Sequence, residues 1–166
     1  MIQRIQSIYL LLVAAVMAAT TLFPLVEFST GGEVYQLLSY GLRAEGAMVE
    51  AGDAVANSMS VSRLSVCVGV LCAASALLPF ITIFLFKKRR VQIRLAFAEF
   101  VLLVGAILFL VYAIWSTREV FVSSGAVTWR LTMVGVFPLI ALILNWMALR
   151  RIIRDEALVR SLDRIR

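Results

Sequence analysis

Four long apolar stretches limit what this chain can fold into more than any other feature. They cover about residues 7–26, 64–86, 95–115 and 131–149. Each is about twenty residues long, the length that a helix needs to cross roughly 30 Å of hydrocarbon. The whole chain is 62% hydrophobic and only 16% charged, whereas about a quarter of a soluble domain is charged. The stretches therefore predict an all-α membrane protein, an antiparallel four-transmembrane-helix bundle forming a single domain over residues 1–166.

The basic residues predict which way the bundle faces. Twelve of the sixteen Lys and Arg residues lie at the N-terminus, in the loop 87–94 and in the tail 150–166. This group and the other four basic residues alternate across the four spans, as the positive-inside rule requires. The pattern predicts that both termini are cytoplasmic and that this side attracts anionic lipid headgroups. The need to fix this orientation also explains the net charge of +6, so we do not expect nucleic acid as a partner.

The residues that most reactions need are missing from the sequence. It has no His and only two Cys, Cys67 and Cys72, which five-residue spacing places apart around one helix. No Asp lies inside a span, and Glu99 is the one Glu that does. Catalysis within a bilayer needs Ser or Cys with His, paired carboxylates or a metal set. We therefore expect no enzyme activity, no cofactor and no metal.

The outward-facing segments predict a small β-structure above the bundle. Residues 27–63 hold five acidic and two basic residues, and Gly31-Gly32 separates two short apolar runs. Gly-Gly between such runs is a hairpin signal. Residues 120–129 carry a second short hairpin pattern around Ser123-Ser124-Gly125. Because a lone two-stranded hairpin is marginal in water, we expect the two hairpins to pair into one sheet that caps the bundle.

Polar side chains at membrane depth form the first candidate site. Glu99 lies about one and a half turns beyond Arg94, and a carboxylate at that depth is a functional-site hypothesis by default. Other polar residues lie near the cytoplasmic ends of the first and fourth predicted spans. Together with Glu99 they predict a cluster in the cytoplasmic leaflet: Gln3, Arg4, Gln6, Glu99 and Asn145. Three interpretations stay open for the cluster: structural glue between helices, a proton or ion step at Glu99, or simple snorkelling of the carboxylate.

The C-terminal tail 150–166 forms the second candidate site. Its apolar residues recur at near-helical spacing, and Arg151–Asp155 and Glu156–Arg160 are oppositely charged i,i+4 pairs. The pattern predicts an amphipathic cytoplasmic helix that needs a surface to lie on. Together with the loop before the third span and with Arg4, it predicts a partner or lipid face: Arg94, Arg150, Arg151, Ile152, Leu158, Val159, Leu162 and Ile165.

The N-terminus has two interpretations. Arg4 followed by an apolar run and by Ala18 and Ala19 also fits a cleaved signal peptide. The apolar character continues as far as Val26, which favours an uncleaved first span. The remaining topology is the same in either case.

Three segments resemble a known family: Met1–Leu10, Gln92-Ile93-Arg94-Leu95, and Asp155–Arg166. The chain resembles, over essentially its whole length, an uncharacterised domain-of-unknown-function family of small four-helix membrane proteins from Bacteroidetes-type bacteria. The resemblance implies a bacterial inner-membrane location. It implies no activity, ligand or site residue.

The function expected from these patterns is non-catalytic. We expect an accessory or scaffold subunit of a cell-envelope complex, which binds a membrane protein partner through its cytoplasmic face. The alternative is a small transporter, channel or lipid-binding protein with a cavity near Glu99. A transporter needs a polar cavity that reaches mid-membrane, whereas a scaffold should be tightly packed there.

Overall fold

The computed structural model of the protein describes residues 2–30, 33–45, 59–85, 89–122 and 127–163. Within these ranges the chain is mostly helical, with one small antiparallel sheet. In chain order the elements are α1 (Ile2–Leu22), β1 (Val26–Thr30), β2 (Glu33–Leu38), β3 (Gly41–Glu45), α2 (Met59–Phe84), α3 (Arg89–Val122), β4 (Val127–Leu131), a 3₁₀ turn (Met133–Val136) and α4 (Phe137–Asp163).

The four helices pack as a ring in which each contacts two others. Helix α1 lies against α2 and α4, and α3 lies against the same two helices. The end of α1, the start of α2, the end of α3 and the start of α4 all lie beside the sheet. Consecutive helices therefore run in opposite directions, and the described part of the chain is an antiparallel bundle.

Along each helix, buried residues recur at distances of three and four positions in turn. On α3, for example, Ala96, Glu99, Leu103 and Ala106 are all buried. A 3.5-residue repeat keeps one seam facing the partners when helices supercoil left-handedly. The same spacing holds for the other helices: 6, 10, 13, 17 and 20 on α1; 65, 68, 72, 75, 79 and 82 on α2; 138, 141, 145, 148 and 152 on α4.

The outer surface of the bundle is as apolar as its interior. Val70, Leu77, Leu108 and Ile143 are all more than 60% exposed, and a helix that is apolar all round needs either a large core or a membrane. Among the described residues, three helical segments are long and apolar enough to cross a bilayer: Ser65–Phe84, Val91–Val122 and Met133–Leu158. The apolar part of α1, Gln6–Leu22, is shorter.

The sheet confirms the predicted pairing of the two outward segments but changes its composition. Its strand order is β3-β2-β1-β4, and Phe28 on β1 faces Tyr35 on β2 and Trp129 on β4. The predicted second hairpin is wrong, because Val120, Phe121 and Val122 are the last residues of α3. The fourth strand of the sheet is instead β3, which no sequence pattern had predicted.

Helix α3 is longer than its predicted span because its end packs under the sheet. It has 34 residues and is about 50 Å long, against the roughly 30 Å of a hydrocarbon core. Phe121 is buried, and its ring lies 5.6 Å from that of Phe28 and 4.9 Å from that of Tyr35. This aromatic contact requires Phe121 to continue the buried face of α3, so the residues stay helical.

Two further contacts fasten the sheet to the bundle. Thr132, which follows β4, places its Oγ1 2.7 Å from the carbonyl oxygens of both Pro24 and Leu25, after the end of α1. At Gly69 on α2, a Cβ would lie 3.0 Å from the carbonyl oxygen of Ser39. Gly69 therefore allows close approach of the β2–β3 turn.

Thr132→Val should lower the free energy of unfolding by about 1 kcal/mol, the net value of one hydrogen bond. The substitution removes the hydroxyl that donates to the Pro24 carbonyl oxygen. Unfolding in detergent micelles, followed by circular dichroism, measures the change. Thr128→Val is the matched control, since the exposed Thr128 hydroxyl makes only a 3.5 Å contact with the carbonyl of Ser29. Equal losses in the two variants would contradict the role given to Thr132.

Candidate functional site

Glu99 lies in the centre of the first candidate site, on the buried seam of α3. Its side chain is 1% exposed, and neither carboxylate oxygen has a hydrogen-bond partner. Ser75, on the buried seam of α2, is close enough to interact with the carboxylate electrostatically. The two side chains do not meet the geometry of a hydrogen bond, so the Ser75 hydroxyl oxygen is also unpartnered. A buried carboxylate without a donor is costly to a fold.

Asn145 brings α4 to the same face of α3. Its Nδ2 donates a hydrogen bond of 3.1 Å to the carbonyl oxygen of Ala96, which lies one turn before Glu99. Residues three apart on a helix share a face, so Asn145 and Glu99 lie on one side of α3. The Oδ1 of Asn145 has no partner. We call Ser75, Glu99 and Asn145 the polar layer.

The polar layer separates two apolar regions of the bundle. The larger core, on the sheet side, reaches Cys72 on α2, Leu103 on α3 and Ala141 on α4. A smaller cluster on the other side consists of Ala96, Leu149 and Ile152, with Ile93 packed against it. The layer offers only oxygen atoms without partners, and such groups can hold a proton, a water molecule or a hard cation.

Gln6 makes its contact away from the polar layer. Its Nε2 donates to the carboxylate of Asp155 on α4, which ties the start of α1 to the end of the bundle. Gln3 and Arg4 lie on α1, but their side chains are outside the described residues. Of the five residues predicted to cluster, the structure thus places Glu99 and Asn145 on one face of α3.

Two polar residues of this region were not predicted as site residues. Ser75 occupies a buried position in the three-and-four spacing of α2, and a serine at such a position is the signal that could have identified it. Asp155 had been assigned only as the i,i+4 partner of Arg151. Its contact with Gln6 joins residues 149 positions apart, and no local pattern reports such a distance.

The second candidate site combines arginines with aromatic rings. The guanidinium of Arg150 lies 5.3 Å from the centre of the Trp146 ring, and that of Arg151 lies 5.5 Å from the centre of the Tyr9 ring. Arg94 is exposed near the start of α3. Cations over aromatic rings are typical of the boundary between hydrocarbon and water. These contacts mark the end of the bundle opposite the sheet.

Helix α4 continues past Arg151 as one helix to Asp163. Ile152, predicted to face a partner, is buried against Ala96 and Leu149, because the three-and-four spacing of α4 turns it inward. The exposed residues are the next ones along the helix, and Leu158 is 57% exposed. The side chains of Val159 and Leu162, and Ile165 altogether, lie outside the described residues. We call the exposed set the α4 face: Arg150, Ile153, Arg154 and Leu158.

Among the described residues, no group of three His, Cys, Asp or Glu side chains is placed to hold a metal ion. The cysteines are both free, with Cys67 exposed and Cys72 buried. The site therefore consists of a polar layer inside the bundle and a basic, partly apolar face at one end. No curated protein matches the chain significantly. The model of one family, a domain of unknown function called DUF4293, matches residues 2–165. The predicted family resemblance is thus confirmed, and the chain belongs to the DUF4293 family.

Proposed function

We propose that the protein is a non-catalytic accessory or scaffold subunit of a bacterial cell-envelope complex. It crosses the inner membrane four times, and both termini are cytoplasmic. The observation that carries the proposal is the α4 face, where Ile153 and Leu158 are exposed between arginines at the basic end of the candidate span Met133–Leu158. Exposed apolar side chains that lie between arginines at the end of a span need a surface to cover them.

The packing of α1 supports four spans. It has 21 residues and a length of about 32 Å, and it lies between α2 and α4 in the same ring as the three longer helices. A helix in that position shares the environment of its neighbours. The basic end of the bundle, with Arg94 and the arginines of α4, lies opposite the sheet, and the positive-inside rule places that end in the cytoplasm.

The tight packing around Glu99 supports a scaffold over a transporter. Glu99, Ser75 and Asn145 are at most 1% exposed. Of the two grooves that stand out on the described surface, one lies between α1 and α2 and the other beside α3. Neither is lined by a residue of the polar layer.

A photo-crosslinking residue placed at Leu158 should form an adduct with a partner protein in native membranes. The matched control is Ile143, which is equally exposed on α4 but lies within the apolar stretch, so it should react with lipid. Ile153→Asp combined with Leu158→Asp should abolish the protein adduct while the variant stays inserted, as resistance to alkaline carbonate extraction shows. If Leu158 yields only lipid adducts, or if both positions capture the same proteins, the scaffold proposal fails.

The unpartnered oxygens of the polar layer favour one alternative function, a small transporter or channel that handles protons or cations at Glu99. It requires the bundle to open beside Glu99. The two functions differ in what Glu99→Gln does: transport would be lost, whereas the partner adduct at Leu158 would persist.

A further inference from the structure

A lateral groove lies at the sheet side of the bundle, at the opposite end from the α4 face. It has a volume of about 560 Å³, within the range of roughly 300–1,000 Å³ typical of ligand sites. One wall is the outer half of α3, and the other is formed by β4, the 3₁₀ turn and the first turn of α4. The lining residues that carry the argument are Ile107, Val111, Trp115, Arg118, Trp129 and Leu139.

The groove exists because the wall opposite α3 is not helical along its whole length. Helix α4 begins only at Phe137. Between that residue and the sheet, the wall is formed by a strand and a 3₁₀ turn instead of a helix. Gly135 in this turn lacks a side chain, and a Cβ there would lie 2.6 Å from the carbonyl oxygen of Leu25. The turn is thus drawn close to the α1–β1 junction and away from α3.

The length of the groove matches one leaflet of a bilayer. Its lining on α3 runs from Ile107 to Arg118, a distance of about 16 Å along the helix. Half of the hydrocarbon core is about 15 Å. An acyl chain that enters at mid-membrane would therefore reach the interface beside Arg118.

The charge of the groove is confined to its interfacial end. Arg118 is the one charged residue in the lining, and it is exposed and forms no ion pair with a described carboxylate. The neighbouring Glu119 instead accepts a hydrogen bond of 2.6 Å from the indole nitrogen of Trp115. Trp115 and Trp129 flank this end, as tryptophans do at the level of lipid headgroups.

A second groove provides an internal comparison. It has a volume of about 430 Å³ and lies between α1 and α2, where its lining of Leu, Ala and Phe residues includes no charged or polar side chain. An acyl chain could lie in either groove. Only the groove beside α3 has a cation where the headgroup would be.

We propose that the groove beside α3 binds one anionic glycerophospholipid, with an acyl chain along α3 and its phosphate at Arg118. The apolar lining provides the area for the chain, and Arg118 selects the charge of the headgroup. This site is independent of the α4 face, so its failure would leave the scaffold proposal intact.

Tryptophan quenching by brominated lipid tests the proposal. Trp146→Phe leaves Trp115 and Trp129 as the remaining tryptophans of the chain, and both line the groove. This protein is reconstituted in phosphatidylcholine vesicles with added dibrominated phosphatidylglycerol or dibrominated phosphatidylcholine. One interfacial arginine contributes about 1 kcal/mol toward an anionic lipid, so phosphatidylglycerol should bind about fivefold more tightly.

Arg118→Gln should remove this preference. Arg130→Gln is the matched control, because it removes the same charge from the next strand residue after Trp129. Arg130 faces away from the groove by strand alternation and pairs in register with Glu27. Equal binding of the two lipids by the parent protein, or equal loss of the preference in both variants, would overturn the proposal, since only unselective lipid contact or diffuse charge attraction would remain.

A pair of apolar variants tests the groove itself without altering charge. Val111→Phe narrows it at mid-depth and should weaken phosphatidylglycerol binding severalfold, whereas Leu108→Phe places the same aromatic ring on the exposed surface outside the lining and should not. If dibrominated phosphatidylglycerol quenches the tryptophan fluorescence of these two variants equally, the acyl chain does not lie in the groove. This comparison decides the question even where Arg118→Gln fails to fold.

Discussion

Phe121→Ala should lower the free energy of unfolding by about 3–5 kcal/mol, the loss expected for truncating a fully buried Phe. The side chain is 2% exposed and contacts the rings of Phe28 and Tyr35. Its removal leaves a cavity between the end of α3 and two strands, where neither element can collapse without breaking the β1–β2 register. Unfolding of the purified protein in detergent micelles measures the change.

Val122→Ala is the control for this prediction, since Val122 is adjacent on α3 but 52% exposed. It should cost less than about 1 kcal/mol, as most exposed substitutions do. Phe121→Leu should recover part of the loss by refilling the cavity. A Phe121→Ala protein as stable as the Val122→Ala protein would mean that the sheet does not rest on the end of α3.

Glu99→Met should raise the free energy of unfolding by about 1–3 kcal/mol, the cost of leaving a buried polar group unsatisfied. Methionine is unbranched and fills a similar volume, so it removes both unpartnered oxygens without opening a cavity. The gain contrasts with the loss expected for a carboxylate that serves as helix glue. Glue requires a donor in hydrogen-bond geometry. The Asn145 amide donates to Ala96 instead, and the Ser75 hydroxyl does not meet that geometry.

Glu99→Gln is the matched variant for this prediction. It keeps the shape and the polar atoms, so its stability should stay within about 1 kcal/mol of the parent's, the net value of one hydrogen bond. A destabilised Glu99→Met protein would show that the carboxylate has a partner in the membrane. A stabilised variant that loses an ion flux would show that Glu99 is retained at a cost for transport, as active-site groups often are.

The helices could be predicted because apolar length is a local property of the chain. Each predicted span is helical over most of its length, but the first was predicted too far, since α1 ends at Leu22, and the fourth was predicted to start too early, since α4 begins at Phe137. The predicted pairing of the two outward segments was confirmed between β1 and β4. The end of α3 could not be predicted in this way. Val120, Phe121 and Val122 favour strands by intrinsic preference, and they remain helical because Phe121 packs between Phe28 and Tyr35, whose positions depend on the sheet.

The candidate site divides in the same way. Glu99 could be predicted because a carboxylate inside an apolar stretch is evident from the sequence alone. The hydrogen-bond partner of Asn145 could not be predicted, because it is the backbone carbonyl of Ala96 and every residue has a backbone carbonyl. Ile152 and Ile153 are neighbours of equal hydrophobicity, and the packing of α4 against α3 determines that the first is buried and the second exposed.

The sequence by itself determined most of each helix, the basic character of one bundle end and the position of the Glu99 carboxylate within an apolar stretch, since each depends on composition over a few turns. Only the tertiary structure decided where α3 ends, which side chains meet in the polar layer and where the lateral groove opens. These features depend on contacts between residues far apart in the chain, and such contacts stabilise the structure only once the helices have packed against one another.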